Sequence, residues 1–292
     1  MVCFVVLHYI AEDETKQCIS SILNNVEGEK KIIIVDNASP NGSGEILRKF
    51  YALDNRVDVI LNKNNDGFAK GNNIGYYHAK INYNPDFIVV MNNDMEIQQR
   101  EFIKEIYECY DKYKFAVMGP DIYSTKAKRH QNPESEFNIT LDNLKKRKKY
   151  LLLKKKLRFI IRFKWMLLRG KKKFSNINDE ENNFVDHVVE DKTLHGSCYI
   201  LSRDFIEQRE KCFYDKTFMY MESYILTYEM KRDNMKMIYY PNVKILHHED
   251  VSTDRTYTQQ YKKSFFTIDC LLQSCNAFIE LIEKDITKNE TK

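Results

Sequence analysis

The chain has 292 residues, 43% apolar and 30% charged, with only nine glycines and five prolines. That composition excludes global disorder and a loop-rich all-β architecture, and the length admits one large α/β domain or two smaller ones. The net charge of +4 joins two unlike parts: residues 143–173 hold fifteen Lys/Arg and no acid, so the remainder carries −11, and one basic element rather than the whole surface is set to meet an anionic partner.

Residues 2–7 are an unbroken apolar run that predicts a buried first strand, ending at His8 and Tyr9. The run is too short and lacks the basic flank of a signal peptide, and no stretch reaches about 18 apolar residues, so nothing is expected to span a membrane. Cys18, Ile19, Ile22 and Leu23 repeat at helical spacing. Residues 31–35 predict a second buried strand, closed by Asp36, Asn37, Ala38 and Ser39. A helix over 44–51 is expected to turn Ile46, Leu47 and Phe50 inward, and 57–61 reads as a third strand. Residues 64–75 form a polar, glycine-punctuated loop running into a helix that carries Tyr76, Tyr77, Ala79 and Ile81. The fourth strand, 87–91, stops at Asn92-Asn93-Asp94. The order β-α-β-α-β-α-β predicts a parallel, doubly wound sheet.

In such a sheet the polar clusters at His8–Tyr9, 36–39, 64–73 and 92–94 meet at the carboxyl edge, where nucleotides bind. The Asp36 carboxylate suits a base or ribose hydroxyl. A plain Asx turn with Ser39 as a helix cap fits the same residues. Asp94 is a hard oxygen ligand for a divalent ion, to which Asn92 can add a carbonyl; a simple polar turn is the plainer reading. Gly67, Gly71 and Gly75 are spaced by four, so G-x-G-x-x-G is absent, and no P-loop is present. A nicotinamide Rossmann domain and a P-loop nucleotidase are thereby excluded.

Residues 101–114 read as a helix and 115–118 as a short strand ended by Gly119-Pro120, followed by a polar, irregular and mobile stretch over 123–143. In the basic segment Lys154, Lys155, Arg158, Arg162 and Arg169 fall on one helical stripe, with Trp165 at its edge and leucines and isoleucines opposite. This is the pattern of a helix in an anionic membrane interface. Packing on its own domain would explain the apolar face but not fifteen cations, and a nucleic-acid helix would explain the charge but not the apolar face. After an acidic, Asn-rich linker, regular structure resumes near Phe184. Residues 194–201 read as a small-residue turn entering a strand. Glu222, with Met219, Tyr220 and Met221 before it, is a carboxylate whose apolar neighbours disfavour its charged form, as a general base requires; it also suits the first turn of a helix. Residues 237–240 and 243–246 read as two short strands leading to His247 and His248, and 262–283 as an amphipathic helix. The seven cysteines are odd in number and form no C-x-x-C, which predicts reduced core thiols in a cytosolic protein.

These residues resemble a family-2 glycosyltransferase of the GT-A fold, in the branch that builds bacterial capsular and cell-surface polysaccharides. Asp36-Asn37-Ala38-Ser39 resembles the family's nucleotide-binding strand end, and residues 65–75 match its N-x-G-F-A-x-G-N-N-x-G loop. Met91-Asn92-Asn93-Asp94 stands at the D-x-D position, with Asn92 in place of the first carboxylate. His195-Gly196-Ser197-Cys198 resembles the acceptor-side turn. Residues 239–253 resemble the closing P…H-x-x-x-x-S-T signature, and Glu222-Ser223 stands where the family has E-D. The resemblance implies a mostly parallel α/β sheet with helices on both faces plus a basic helical insertion. Residues 1–122 would form the nucleotide-sugar half, 123–183 the insertion, 184–261 the acceptor half and 262–292 a terminal helix. It implies Tyr9, Asp36, Asn37, Asn65, Gly67, Lys70, Asn72 and Asn93 around a UDP- or dTDP-sugar; Asp94 and His247 on Mg²⁺ or Mn²⁺; Glu222 as base; and His195, Gly196 and Ser197 on the acceptor side. Lys155, Arg158, Arg162, Trp165 and Arg169 would dock on the anionic inner face of the plasma membrane near a lipid-linked acceptor, with no nucleic-acid partner. A non-catalytic partner subunit of another transferase is the alternative that Asn92 and Ser223 suggest.

Overall fold

The most apolar strand, β1 (Val2–His8), sits inside the sheet, paired in parallel with β2 (Lys30–Asp36) on one side and β4 (Phe87–Asn92) on the other. The computed structural model describes residues 1–134, 136–158, 160, 163, 183–249 and 260–290. β3 (Val57–Leu61) forms one edge beside β2. Past β4 the direction reverses: β9 (Cys198–Ser202) runs antiparallel between β4 and β6 (Val117–Ser124). β10 (Met237–His247) is parallel to β6, and β5 (Met95–Glu96) closes the far edge. The two-residue strands β7 (Arg129–His130) and β8 (Val189–Glu190) pair with β6 and β10. One sheet, in the order β3-β2-β1-β4-β9-β6-β10-β5, therefore draws strands from both halves of the sequence.

Alternation along β1 explains the layers. Phe4 and Val6 face α1 (Glu12–Asn25), α2 (Ser43–Phe50) and α4 (Phe102–Tyr113), in a core with Ile19, Leu47 and Phe102. Cys3 and Val5 face α3 (Gly67–Tyr83), α6 (Arg203–Gln208) and α7 (Glu222–Arg232), in a core with Tyr76, Phe205 and Leu226. A third core joins α7 to α5 (Leu141–Lys156) and α8 (Gln260–Glu290) through Leu144, Leu151, Ile225, Leu272 and Phe278. The glycines spaced by four have a packing reason. A Cβ on Gly71 would lie 2.5 Å from Leu7 Cδ1, and one on Gly75 would lie 2.4 Å from Val5 Cγ1, so α3 lies flat against the sheet only because both lack side chains.

Several expectations are corrected. β6 continues through Gly119-Pro120 to Ser124. The two short strands at 237–246 are one strand, whose register with β6 shifts between Tyr240 and Lys244; this bulge carries Pro241 and accommodates the missing Pro N–H groups. Of the three side chains expected inward on α2, only Leu47 is buried, while Ile46 and Phe50 are 45% and 63% exposed, because the buried face runs through Ser43, Gly44, Leu47 and Tyr51. Within the stretch expected to be irregular, β7 forms and Asn183 bonds both the N–H (3.0 Å) and the carbonyl (2.8 Å) of His130 through its side chain. All seven cysteines are buried free thiols. Among the described residues one helical stretch, Tyr261–Lys288, is long and apolar enough to cross a bilayer, with polar residues interrupting the run; 56% of its most apolar window is buried in the protein.

The basic stripe is also corrected. Lys155 pairs with Asp269 of α8 at 2.9 Å, Arg158 pairs with the same carboxylate, and Lys145 meets Glu283 at 2.7 Å. The stripe thus faces α8 because α8 supplies acids opposite it. Lys155 stays 47% exposed in that pair, and the apolar Leu153, Leu157, Ile160 and Phe163 are exposed as well, with the exposed Lys149 and Lys156 at the same helical angles as the leucines. Arg162, Trp165 and Arg169 lie outside the described residues.

Replacing Gly75 by Ala forces a methyl into Val5 and Val35. The variant should lose about 1–3 kcal/mol of stability despite its better helix propensity, read as a lower urea midpoint at unchanged m-value.

Candidate active site

Parallel register sets His8 beside Asp36 and Leu7 beside Asn92, so three strand ends open onto one edge. His8 is fully buried, with Nδ1 2.7 Å from Thr15 Oγ1 and Nε2 2.7 Å from Ser43 Oγ. Burial, only partly opposed by Asp36, pushes it down to about 4, so it is neutral and ties β1 to α1 and α2. Asp36 accepts the Ser39 N–H at 3.2 Å; the Asx turn exists. A Cβ on Gly44 would lie 2.2 Å from Asp36 Oδ2, so this glycine makes the room the carboxylate occupies. Tyr9 is half-buried just past β1.

Asn37 binds the next loop with both ends of its amide. Its Nδ2 donates to Asn65 Oδ1 (2.9 Å) and Gly67 O (3.1 Å), and its Oδ1 accepts from Asp66 N (3.1 Å). Gly67 has φ +80°, and a Cβ there would fall 2.2 Å from the Phe218 carbonyl; glycine is required on both counts. α3 starts at Gly67, so Lys70 and Asn72 stand on a helix rather than in a loop. Lys70 lines a cleft of about 470 Å³ with Asn65, Asp66, Thr217 and Phe218. Asn72 is buried with its Oδ1 unpaired among the described residues. Asn93 donates to Thr15 Oγ1 at 2.9 Å.

Asp94 and His247 come together from opposite halves of the chain. His247 Nε2 lies 3.3 Å from Asp94 Oδ1, yet that buried oxygen accepts no hydrogen bond from any described residue. The network explains this. Gln131 Nε2 donates to Glu249 at 2.6 Å, so its Oε1, 2.7 Å from His247 Nδ1, is an acceptor there. Nδ1 then donates to Gln131, and Nε2 is the ring nitrogen that faces Asp94. A carboxylate oxygen and an imidazole nitrogen are the kinds of atom that ligate a divalent cation. Among the described residues no cluster of three such ligands forms, so remaining coordination positions would fall to substrate oxygens and water. The ring of His195 lies 5.7 Å from that of His247, and its Nδ1 is 2.8 Å from Ser197 Oγ. Burial, and then the neighbouring His247, push His195 down to about 4.

A Cβ on Gly196 would lie 3.1 Å from Ser223 Oγ, which puts the His195 turn against the start of α7. Glu222 opens that helix, 8% exposed, with Oε1 unpaired among the described residues. Burial pushes it up to about 7, partly offset by the Thr217 hydroxyl and nearby backbone N–H groups. The turn before it is strained: Tyr220 and Met221 both have left-handed φ, 73° and 71°, at roughly 1–2 kcal/mol each. Sequence reasoning missed Gln131, which fixes the His247 tautomer, and Glu134, a second carboxyl that burial raises to about 7; neither sits in a recognisable pattern. Asp250, Ser252 and Thr253 of the closing signature lie outside the described residues.

The sequence model of "Glycosyl transferase family 2" matches residues 3–173. A low-salt glycan biosynthesis hexosyltransferase, Agl10 of Haloferax volcanii, is 23% identical over 254 residues, covering 86% of this chain and 68% of that protein. S. aureus TarS 1–349, solved with UDP-GlcNAc, superposes with a TM-score of 0.55 at 14% identity, over 93% of this chain and 65% of that one. GalNAc-T7, solved with UDP, GalNAc and Mn²⁺, gives 0.58 at 10% identity, over 86% and 43%. The two solved structures show the shared fold, and the chain spans less than two thirds of each.

Glu222 generates a stability prediction. Its carboxyl is raised in the folded state, so its contribution is full below about pH 4.5 and is lost as pH rises through about 7. Glu222→Gln should therefore match the wild type at pH 4.5 and exceed it by about 3 kcal/mol at pH 8, read from urea midpoints at the two pH values.

Proposed function

The chain belongs to glycosyl transferase family 2, and from that premise we propose that it is a metal-dependent inverting transferase. It moves a hexose from a UDP- or dTDP-sugar to a lipid-linked saccharide acceptor in surface polysaccharide synthesis. The observation that carries this reading is the meeting of the Asp94 carboxylate with the His247 ring nitrogen, adjoined through His195 and Gly196 by the desolvated Glu222.

Asp36, Tyr9, Asn65 and Lys70 receive the nucleotide, while Asn37 and Asn93 hold the edge in shape through the bonds described and Asn72 through its Nδ2, which donates to the Phe68 carbonyl at 3.0 Å. Asp94 and His247 would hold Mg²⁺ or Mn²⁺, which when bound neutralises charge on the departing diphosphate. Asn92 at the first D-x-D position leaves Asp94 as the direct carboxylate. His195, Gly196 and Ser197 border the acceptor. Glu222 takes the proton of the acceptor hydroxyl as that oxygen bonds to the anomeric carbon and the diphosphate leaves from the opposite face. A carboxyl raised to about 7 is a better base than an ordinary one and is still ionised in half or more of the molecules at neutral pH.

The enzyme works at the cytoplasmic face of the membrane. The exposed Leu153, Leu157, Ile160 and Phe163, with Lys149 and Lys156 beside them, support docking by apolar insertion with basic flanks. In this docking Lys155 and Arg158 brace the helix on Asp269 rather than meeting lipid.

Calorimetric titration of UDP should show Mn²⁺-dependent binding, weakened at least about tenfold in Asp94→Ala; metal-independent binding of equal strength in both proteins would defeat the metal assignment. With a turned-over donor, kcat/KM should rise through about pH 7 and fall by about 10² or more in Glu222→Gln. UDP binding without turnover of any donor would leave the non-catalytic partner as the reading. In flotation, the chain should rise with phosphatidylglycerol vesicles and less with pure phosphatidylcholine, and Leu153→Glu with Ile160→Glu should abolish binding; equal recovery with both vesicles sinks the docking surface.

A further inference from the structure

Residues 213–222 form a strap that touches the donor loop on one side and α8 on the other before ending in Glu222. Its start is fixed by Asn73, whose Nδ2 donates to the Phe213 carbonyl (2.8 Å) and whose Oδ1 accepts the Phe213 N–H (2.9 Å). Its middle meets the donor loop, where the Phe68 N–H donates to the Phe218 carbonyl at 2.6 Å. The opposite side is held from α8. The fully buried Ser274 donates its hydroxyl to the Met219 carbonyl at 3.0 Å. Tyr220 Oη lies 3.4 Å from Thr267 Oγ1, the Phe218 and Phe266 rings meet edge to face at 6.0 Å, and Cys275 and Met221 bring their sulfurs to 3.6 Å.

These contacts bracket the two left-handed residues, Tyr220 and Met221. Non-glycine residues stay in that region only where the surroundings over-determine them, and the contacts from α8 supply that determination. Ser274 is the central one, since it fastens the carbonyl immediately before the strained pair. α8 is in turn packed on α5, the helix with the exposed apolar line.

We propose that Ser274 is a positioning residue, and that α8 is a clamp which fixes the strap and thereby sets Glu222 in its desolvated place beside the acceptor turn. The inference rests on the assignment of Glu222 as the base. Released from Ser274, the Met219–Met221 turn relaxes toward ordinary φ values, and Glu222 gains water. α8 is thus part of the active-site machinery as well as a covering helix, and a disturbance of the α5–α8 pair reaches the reaction centre through the strap.

The test is a double-mutant cycle of Ser274→Ala with Glu222→Gln, read as urea midpoints at pH 4.5 and pH 8, with amide hydrogen exchange on each full-length protein. In the Ser274→Ala background the stabilising effect of Glu222→Gln at pH 8 should fall to less than half. Exchange at residues 219–223 and at Phe68 should speed up about tenfold or more, with α3 beyond Asn73 unchanged. Ser274→Thr, which keeps the hydroxyl, should restore both readouts. Strictly additive effects, or faster exchange confined to α8, overturn the proposal. Should Ser274→Ala fail to fold, Thr267→Val at a half-buried position carries the same cycle with the same two outcomes. Coupling without loss of transfer in Glu222→Gln would overturn the base assignment alone; loss of transfer without coupling would overturn the clamp alone.

Discussion

The parallel register of β1 with β2 and β4 is the constraint on which the site depends. It aligns three strand ends so that His8, Asp36 and Asn92 share one edge. The neutral, fully buried His8 then links that edge to α1 and α2 through Thr15 and Ser43. The same flatness lets α3 approach closely, because Gly71 and Gly75 put no side chain between helix and sheet. A register slip of one residue would reverse every side chain on β1, and with it both cores and the edge.

Electrostatics at the edge follow from burial more than from charge pairing. Asp94 Oδ1 and Glu222 Oε1 are buried acceptors without donors among the described residues, and groups in that state are costly unless something else satisfies them. Asp94 Oδ1 has the His247 ring nitrogen 3.3 Å away. For Glu222 burial holds the proton more tightly. His195, made neutral by the same burial, adds no positive charge between them.

The insertion and the terminal helix are bound to each other before they are bound to anything outside. Acids on α8 pair with Lys145, Lys155 and Arg158 at the surface, and a line of apolar side chains is exposed beside them. This division makes sense physically: a facing carboxylate offsets the hydration a guanidinium gives up at a protein interface, and leucines gain most from leaving water for lipid. Through α7 the same helices share a core with the turn that carries Glu222.

The sequence by itself determined the order of strands and helices, the doubly wound start and the polar clusters at the strand ends, because period-2 and 3.6 patterns are local. The loop at residues 65–75 and the carboxylates Asp36, Asp94 and Glu222 were legible for the same reason: each directly follows or opens an element. Only the tertiary structure decided that Gly119-Pro120 lies within a strand, since the accommodating bulge is on a partner distant in sequence. It alone decided that Lys155 and Arg158 face Asp269, that Gln131 orients His247, and that Phe218 of the strap closes on Gly67 and Phe68. Each of these is a pairing between residues dozens to more than a hundred positions apart, and no local periodicity encodes which remote partner the fold will bring.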